Sequence, residues 1–338
     1  MFFQLLQPSL PQLPFRCFYG ISILPIFVSD KRRKSMHLWV KNEVGKLKTV
    51  VLGIAKDFGG TPEASACYDP KSLENVLNGT YPNENDLVQE MTHFCEILER
   101  HDVEVLRPSN ISGLNQIYAR DIAFVIDSKL CIPNIIEDRS EELQALKSLI
   151  ESFDQDSIVK MPESARIEGG DVLLVDGYIL IGFSEEEDFE RYKVARTNRE
   201  GVSFIKTQFP DRKVLAFELN KSDTEPIGSA LHLDCCFQPV GRNGAIICEA
   251  GFKNKEDIRT LEQIFNKENI IRINAEEMYH MNSNLFSISE DVIVSQPYFS
   301  VLNEKLRKQG LIVEEVPYNE VSKMGGLFRC STMPLKRL

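Results

Sequence analysis

One cysteine, one histidine and four acidic side chains stand where this sequence could do chemistry. Cys330 lies in MGGLFRCSTMPLKRL (324–338), after a glycine pair and before a proline. That punctuation predicts a turn around the thiol rather than a plain helix or strand. His232 and Asp234 share the tripeptide HLD, Glu168 and Asp171 share EGGD (168–171), and Asp121 follows Arg120. A thiol, an imidazole and several carboxylates suit nucleophilic catalysis assisted by a general acid/base. The carboxylates also restrict the substrate. A planar guanidinium pairs with them in a two-pronged fork, so several of them facing a thiol point to an arginine-like molecule. Each residue alone has an ordinary explanation as a strand end, a turn, a satisfied core histidine or a small buried thiol. Their joint appearance at matching points of a repeat carries the catalytic reading.

The repeat is about 50 residues long and begins near residue 47. Each copy has an apolar strand, a short turn, a second apolar strand and an amphipathic helix. RDIAFVIDSKLCIPN (120–134) is expected to turn at Asp127–Lys129, and GGDVLLVDGYILIGFS (169–184) at Asp176–Gly177, the latter a strong two-residue hairpin signal. LHLDCCFQPVGRNGAIICEAG (231–251) should turn around Asn243–Gly244, and SNLFSISEDVIVSQP (283–297) at Ser289–Asp291. After the first hairpin Leu143, Leu146, Ile150 and Phe153 fall on one helical face; after the third Ile258, Leu261 and Phe265 do the same. LKTVVLGIA (47–55), followed by a helix bearing Leu87, Met91, Phe94 and Leu98, makes another copy, whose closing strand must come from the C-terminal segment. About five such units cannot bury their faces singly and must pack together around an axis, which would bring equivalent hairpin edges to one central pocket. An ordinary sandwich of hairpins and helices has the same spacing.

Composition sets the outer limits. The 338 residues are 43% hydrophobic and 26% charged, as in a folded globular protein, and the net charge of −11 argues against nucleic acid or an anionic membrane as the main partner. Eight scattered cysteines without a C-x-x-C pair read as free thiols of a reducing compartment, here the cytoplasm. Adjacent Cys235 and Cys236 read as strand residues. With His232 and Asp234 they match no standard zinc spacing, so no metal or cofactor is expected. Residues 1–36 differ in kind, with four prolines, an apolar run broken by Gly20 and Pro25, and a KRRK cluster. They read as a non-catalytic extension before Met36 rather than a signal or anchor, leaving 37–338 as a single catalytic domain.

The sequence resembles the guanidino-group-modifying enzymes, the superfamily of arginine deiminase, dimethylarginine dimethylaminohydrolase and the amidinotransferases. The resemblance runs over about 37–338 and rests on NEVGKLKTVVLG (42–53), RD (120–121), EGGDVL (168–173), RTNREG (196–201), HLD (232–234) and GGLFRCSTMPL (325–335). It implies an α/β fold of five ββαβ blades in a pseudo-fivefold propeller, the pentein fold, without a cofactor. By position it implies Cys330 as nucleophile, His232 as general acid/base, Glu168 as the carboxylate beside it, and Asp121 and Asp234 as clamps on the guanidinium. Arg139 and Arg196 match arginines that grip the substrate carboxylate, and Asn284 falls where the family carries an asparagine, with a hairpin-end role equally open. The thiolate would draw on Arg329, a protonated His232 or the substrate cation for stabilisation. EGGDVL, RTN..G and the two arginines lean toward hydrolysis of a guanidinium to a ureido product. Transfer of the amidino group to an amine is the alternative, and a non-enzymatic ring protein of the same architecture a second one. The partner expected is a small guanidino substrate; homo-oligomerisation is left open.

Overall fold

The computed structural model describes residues 37–338. The expected extension 1–36, with Cys17, lies outside the described residues. Fifteen strands among them form five sheets of three, each built on the same rule: an antiparallel hairpin, a helical crossover, then a third strand parallel to the second. In the second blade Phe124–Ile126 and Lys129–Ile132 make the hairpin and Ile158–Lys160 the third strand. In the third they are Val172–Val175, Tyr178–Phe183 and Lys213–Glu218; in the fourth Phe237–Val240, Gly244–Ile247 and Ile270–Arg272. The fifth has Phe286–Ser287, Val292–Ser295 and Ile312–Glu315. This is the five-bladed pentein fold.

The first blade closes the ring. Leu47–Leu52 pairs in parallel with Glu104–Leu106, while its antiparallel partner is Thr332–Arg337 from the far end of the chain, with Leu52 opposite Thr332. The strand that must come from the C-terminus therefore does, and it carries Cys330 into the turn just before it. Crossover helices bury one face each: Leu87, Met91, Phe94 and Leu98 on Glu84–Arg100, and Ile258, Leu261 and Phe265 on Lys255–Phe265. These side chains join a large core shared by several blades.

Two local expectations are corrected. The residues after the second blade's hairpin do not form one amphipathic α-helix: Glu137–Leu146 is 3-10 helix and only Lys147–Ile150 is α-helical. A 3-10 helix eclipses side chains three apart. Here it sets Glu142 over Arg139, both buried, with Arg139 Nε 2.7 Å and Nη2 2.8 Å from the two carboxylate oxygens. Polar burial, rather than the apolar face, decides this segment. Cys235 and Cys236 are not strand residues either. They lie in and just after a 3-10 turn, Leu233–Cys235, that precedes the strand Phe237–Val240, because Leu233 N is tied to Asp171 Oδ1 at 2.9 Å and bends the chain there. The seven cysteines among the described residues are all free. No helix among them is long and apolar enough to cross a membrane.

Candidate active site

Each blade's first strand is entered through a short turn, and those turns hold the candidate residues. Asp121 precedes Phe124–Ile126, Glu168 and Asp171 precede Val172–Val175, His232 and Asp234 precede Phe237–Val240, Asn284 precedes Phe286–Ser287, and Cys330 precedes Thr332–Arg337. Residues distant in sequence thus meet at one end of the ring, all buried: Cys330 is 3% exposed, Asp121 3%, and Glu168, His232 and Asp234 are fully enclosed.

Asp171 and Thr197 fasten three motifs together. Asp171 accepts from Leu233 N of HLD and, at 2.7 Å, from Thr197 Oγ1 of RTN. The same hydroxyl accepts from Glu168 N at 3.3 Å. Gly170 makes the close approach possible: a Cβ on it would stand 2.5 Å from His232 Nδ1 and 2.9 Å from Asp121 Oδ1. Gly325 adopts φ +87°, open to glycine but strained for other residues, and turns the chain toward the thiol. Asn284, left open in the sequence, has a clear position. Its Oδ1 accepts the backbone N–H groups of Leu327 and Cys330, each at 3.2 Å, which holds the cysteine turn.

Two carboxylate–imidazole–guanidinium arrays surround the histidine. His232 Nε2 lies 2.8 Å from Glu168 Oε2, and its Nδ1 is 3.7 Å from Asp121 Oδ1. Neither of those last two atoms has a hydrogen-bond partner among the described residues. Burial alone would lower the His232 pKa, but Asp121 and the hydrogen bond to Glu168 outweigh it and hold the imidazole above its ordinary value. Glu168 moves the other way. Burial favours its neutral form, yet Arg196 at 2.9 Å and His232 keep it strongly acidic.

Arg139 and Arg196 both reach the site, and both are engaged by the chain's own acids. Arg139 donates to Asp121 Oδ2 at 2.7 Å and to Glu142; Arg196 donates to Glu168, to Lys193 O and to Tyr68 O. The Tyr68 ring lies 5.8 Å from each guanidinium carbon. Tyr68 also lines a cavity of about 220 Å3 with Asp69, Tyr81, Asp138 and Glu142 among others. Tyr68 and Glu142 carried no signal in the sequence, since neither belongs to a recognised motif.

Cys330 Sγ is 3.7 Å from Asp234 Oδ2. Burial first, then Asp234 and Asp121, push the thiol well above its ordinary pKa. The expectation that Arg329 stabilises the thiolate is corrected here: its guanidinium is turned to Glu43 and Asp234, at 3.1 and 2.8 Å. Asp121, Glu168 and His232 place ligand-type atoms within 4.8 Å of one another, but each carboxylate is already paired with a guanidinium. That donor set suits proton transfer better than a metal.

The fold and the comparisons agree on a class, the guanidino-group-modifying pentein superfamily. The chain belongs to the family whose model is described as "N,N dimethylarginine dimethylhydrolase, eukaryotic", which matches residues 75–337. It is 27% identical over 314 residues to YkgA of Bacillus subtilis, described as uncharacterized, spanning 90% of this chain and 97% of that protein. An arginine deiminase of Oenococcus oeni is 27% identical over 205 residues, 51% of this chain but only 47% of that enzyme. Among solved structures, the N-terminal domain of the cyanobacterial arginine dihydrolase ArgZ superposes with a TM-score of 0.72 at 17% identity, covering 86% of this chain and 98% of that one. The amidinotransferase SxtG of Microseira wollei gives 0.70 at 16%, covering 89% and 97%.

Proposed function

We propose that the chain hydrolyses the guanidinium of arginine or a close derivative, through an amidino-thioether on Cys330, to a ureido product. The observation that supports this most is the meeting of one thiol, one imidazole and three carboxylates from the turns that enter three blades' first strands and the closing strand, in a buried site. Asp121 and Asp234 hold the guanidinium in plane, and its own positive charge is what permits the raised Cys330 thiol to ionise, its proton passing to solvent as the cation binds. The thiolate attacks the central carbon and forms a tetrahedral adduct. His232, protonated on the nitrogen facing Asp121, gives its proton to the departing nitrogen, which leaves as ammonia or an amine. Water then adds to the amidino carbon as His232 takes back a proton. Collapse frees the thiol and releases the ureide, citrulline in the case of arginine.

Arg139 and Arg196, both beside the Tyr68 ring, hold the substrate's carboxylate. The purified protein should be incubated with arginine, Nω-methylated arginines and agmatine, with and without glycine as an amine acceptor. Ureido product that glycine does not suppress is the expected result. Guanidinoacetate formed from glycine would make the protein an amidinotransferase, and no product from any guanidine would sink the reading.

A further inference from the structure

Glu43 comes from the NEVGKL segment, which the chemistry above leaves without a task. Its backbone N–H donates to Leu174 O at 3.0 Å and its Oε1 accepts from Leu174 N at 3.3 Å, pinning it beside the third blade. Its carboxylate meets Arg329 in a two-pronged fork, with Oε1 3.1 Å from Nη2 and Oε2 3.3 Å from Nε. From its other edge Arg329 donates through Nη1 to Asp234 Oδ2 at 2.8 Å, the same oxygen that stands 3.7 Å from Cys330 Sγ. Glu43 is 3% exposed, and Arg329 and Asp234 are wholly buried.

We propose that Glu43 is a positioning residue that acts on the reaction through Arg329, dividing that guanidinium between two carboxylates so that Asp234 keeps enough negative charge to grip a cationic substrate. The role in turnover rests on the function proposed above; the effect on the thiol does not. One guanidinium serves two acids in this chain of contacts. With Glu43 present, Asp234 is oriented but only partly neutralised. Without that charge, Arg329 belongs to Asp234 alone, the grip on a guanidinium weakens, and the repulsion that Asp234 exerts on a thiolate falls. Burial favours the neutral acid, but Arg329 and then Arg120 outweigh it and keep Glu43 ionised, its pKa lowered to about 2, so the arrangement is constant across the working pH range. Asp121, Cys235, Tyr118 and Tyr318 also act on Cys330 and are unaltered by the test; Arg120, 4.0 Å from Glu43 Oε2, and Arg337 are the other cations that face Glu43.

The test uses the full chain with Glu43→Gln, and follows the pH dependence of Cys330 alkylation by iodoacetamide together with steady-state kinetics and urea denaturation. The thiol titration should move down by about half a pH unit or more, while KM rises about tenfold with kcat changed far less, as when ground-state and transition-state binding are lost together. The double variant Glu43→Gln/Arg329→Gln removes both charges of the clip, a change buried pairs tolerate better than loss of one partner. In it the thiol should titrate higher than in the wild type, because Asp234 then loses the guanidinium bonded to its Oδ2 and keeps only the unbonded charge of Arg120 nearby. A thiol unmoved in both variants, with stability alone reduced, would make Glu43 a structural clip and overturn the proposal. If Glu43→Gln does not fold, the upward shift in the double variant decides alone. Expected thiol shifts without turnover of any guanidine would sink the proposed function and leave the Glu43–Arg329–Asp234 tie standing.

Discussion

His232 Nε2 lies 2.8 Å from Glu168 Oε2, with both side chains entirely buried. The imidazole is therefore oriented by one nitrogen and left with the other, Nδ1, facing Asp121. A general acid needs this division, since the nitrogen that holds the ring in place is not the one that moves the proton.

That pairing has a pH signature. The folded pKa of His232 is raised above its ordinary 6.5, so the stability it contributes is complete below the unfolded value and lost as pH rises through the folded one. Glu168, held low, contributes above its unfolded pKa and loses that contribution as pH falls. In Glu168→Gln the imidazolium loses one of its supports and keeps Asp121, and the alkaline limb set by His232 should shift down by about one pH unit. Arg196 is left unpaired in the same variant, so urea denaturation at pH 7 should show a loss of about 3 kcal/mol. An unchanged limb would move the acid/base role to another residue.

Cys330→Ser should abolish turnover, by at least about a thousandfold, with the fold retained, since serine keeps the backbone N–H to Asn284 and the carbonyl that accepts from Arg120 N, and a hydroxyl can face Asp234 as the thiol does. Circular dichroism and product formation measured on the same sample check both halves. Alkylation that kills activity while sparing Cys330 would point to a different nucleophile.

Gly170→Ala adds a single methyl group. That carbon would sit 2.5 Å from His232 Nδ1 and 2.9 Å from Asp121 Oδ1, and both belong to the working face of the site. Overpacking of this kind costs about 1–3 kcal/mol of stability, but displacement of the imidazole should lower kcat about a hundredfold. If kcat stays within a few-fold of the wild type, the nitrogen facing Asp121 does not carry the proton.

Arg196→Ala removes a charge that faces Glu168 and, as proposed, the substrate's carboxylate. Losing the first contact should slow every guanidine alike; losing the second should slow only those with a carboxylate. The fall in kcat/KM should thus be at least about tenfold larger for arginine than for agmatine, which lacks that group. Equal losses would confine Arg196 to holding Glu168, and preference of the wild-type enzyme for agmatine would make the substrate a decarboxylated guanidine.

Much of the ring is legible in the sequence because its information is local. Asp176–Gly177 joins Val172–Val175 to Tyr178–Phe183, with Gly177 at φ +77°, a conformation open to glycine. The spacing of Leu87, Met91, Phe94 and Leu98 marks the buried face of Glu84–Arg100 without reference to anything distant. The order of motifs, from RD through EGGD and HLD to the final cysteine, likewise suffices to nominate the candidate residues. Tertiary structure alone decides which charges meet. Arg139 lands on Asp121 and Glu142, Arg196 on Glu168, and Arg329 on Glu43 from the opposite end of the chain. Those pairings act over a few ångströms and depend on how completely water is excluded, and neither quantity is written in residue type or spacing. The same physics sets the thiol: Cys330 is an ordinary cysteine by sequence, and burial beside Asp234 is what makes its ionisation wait for a positive charge.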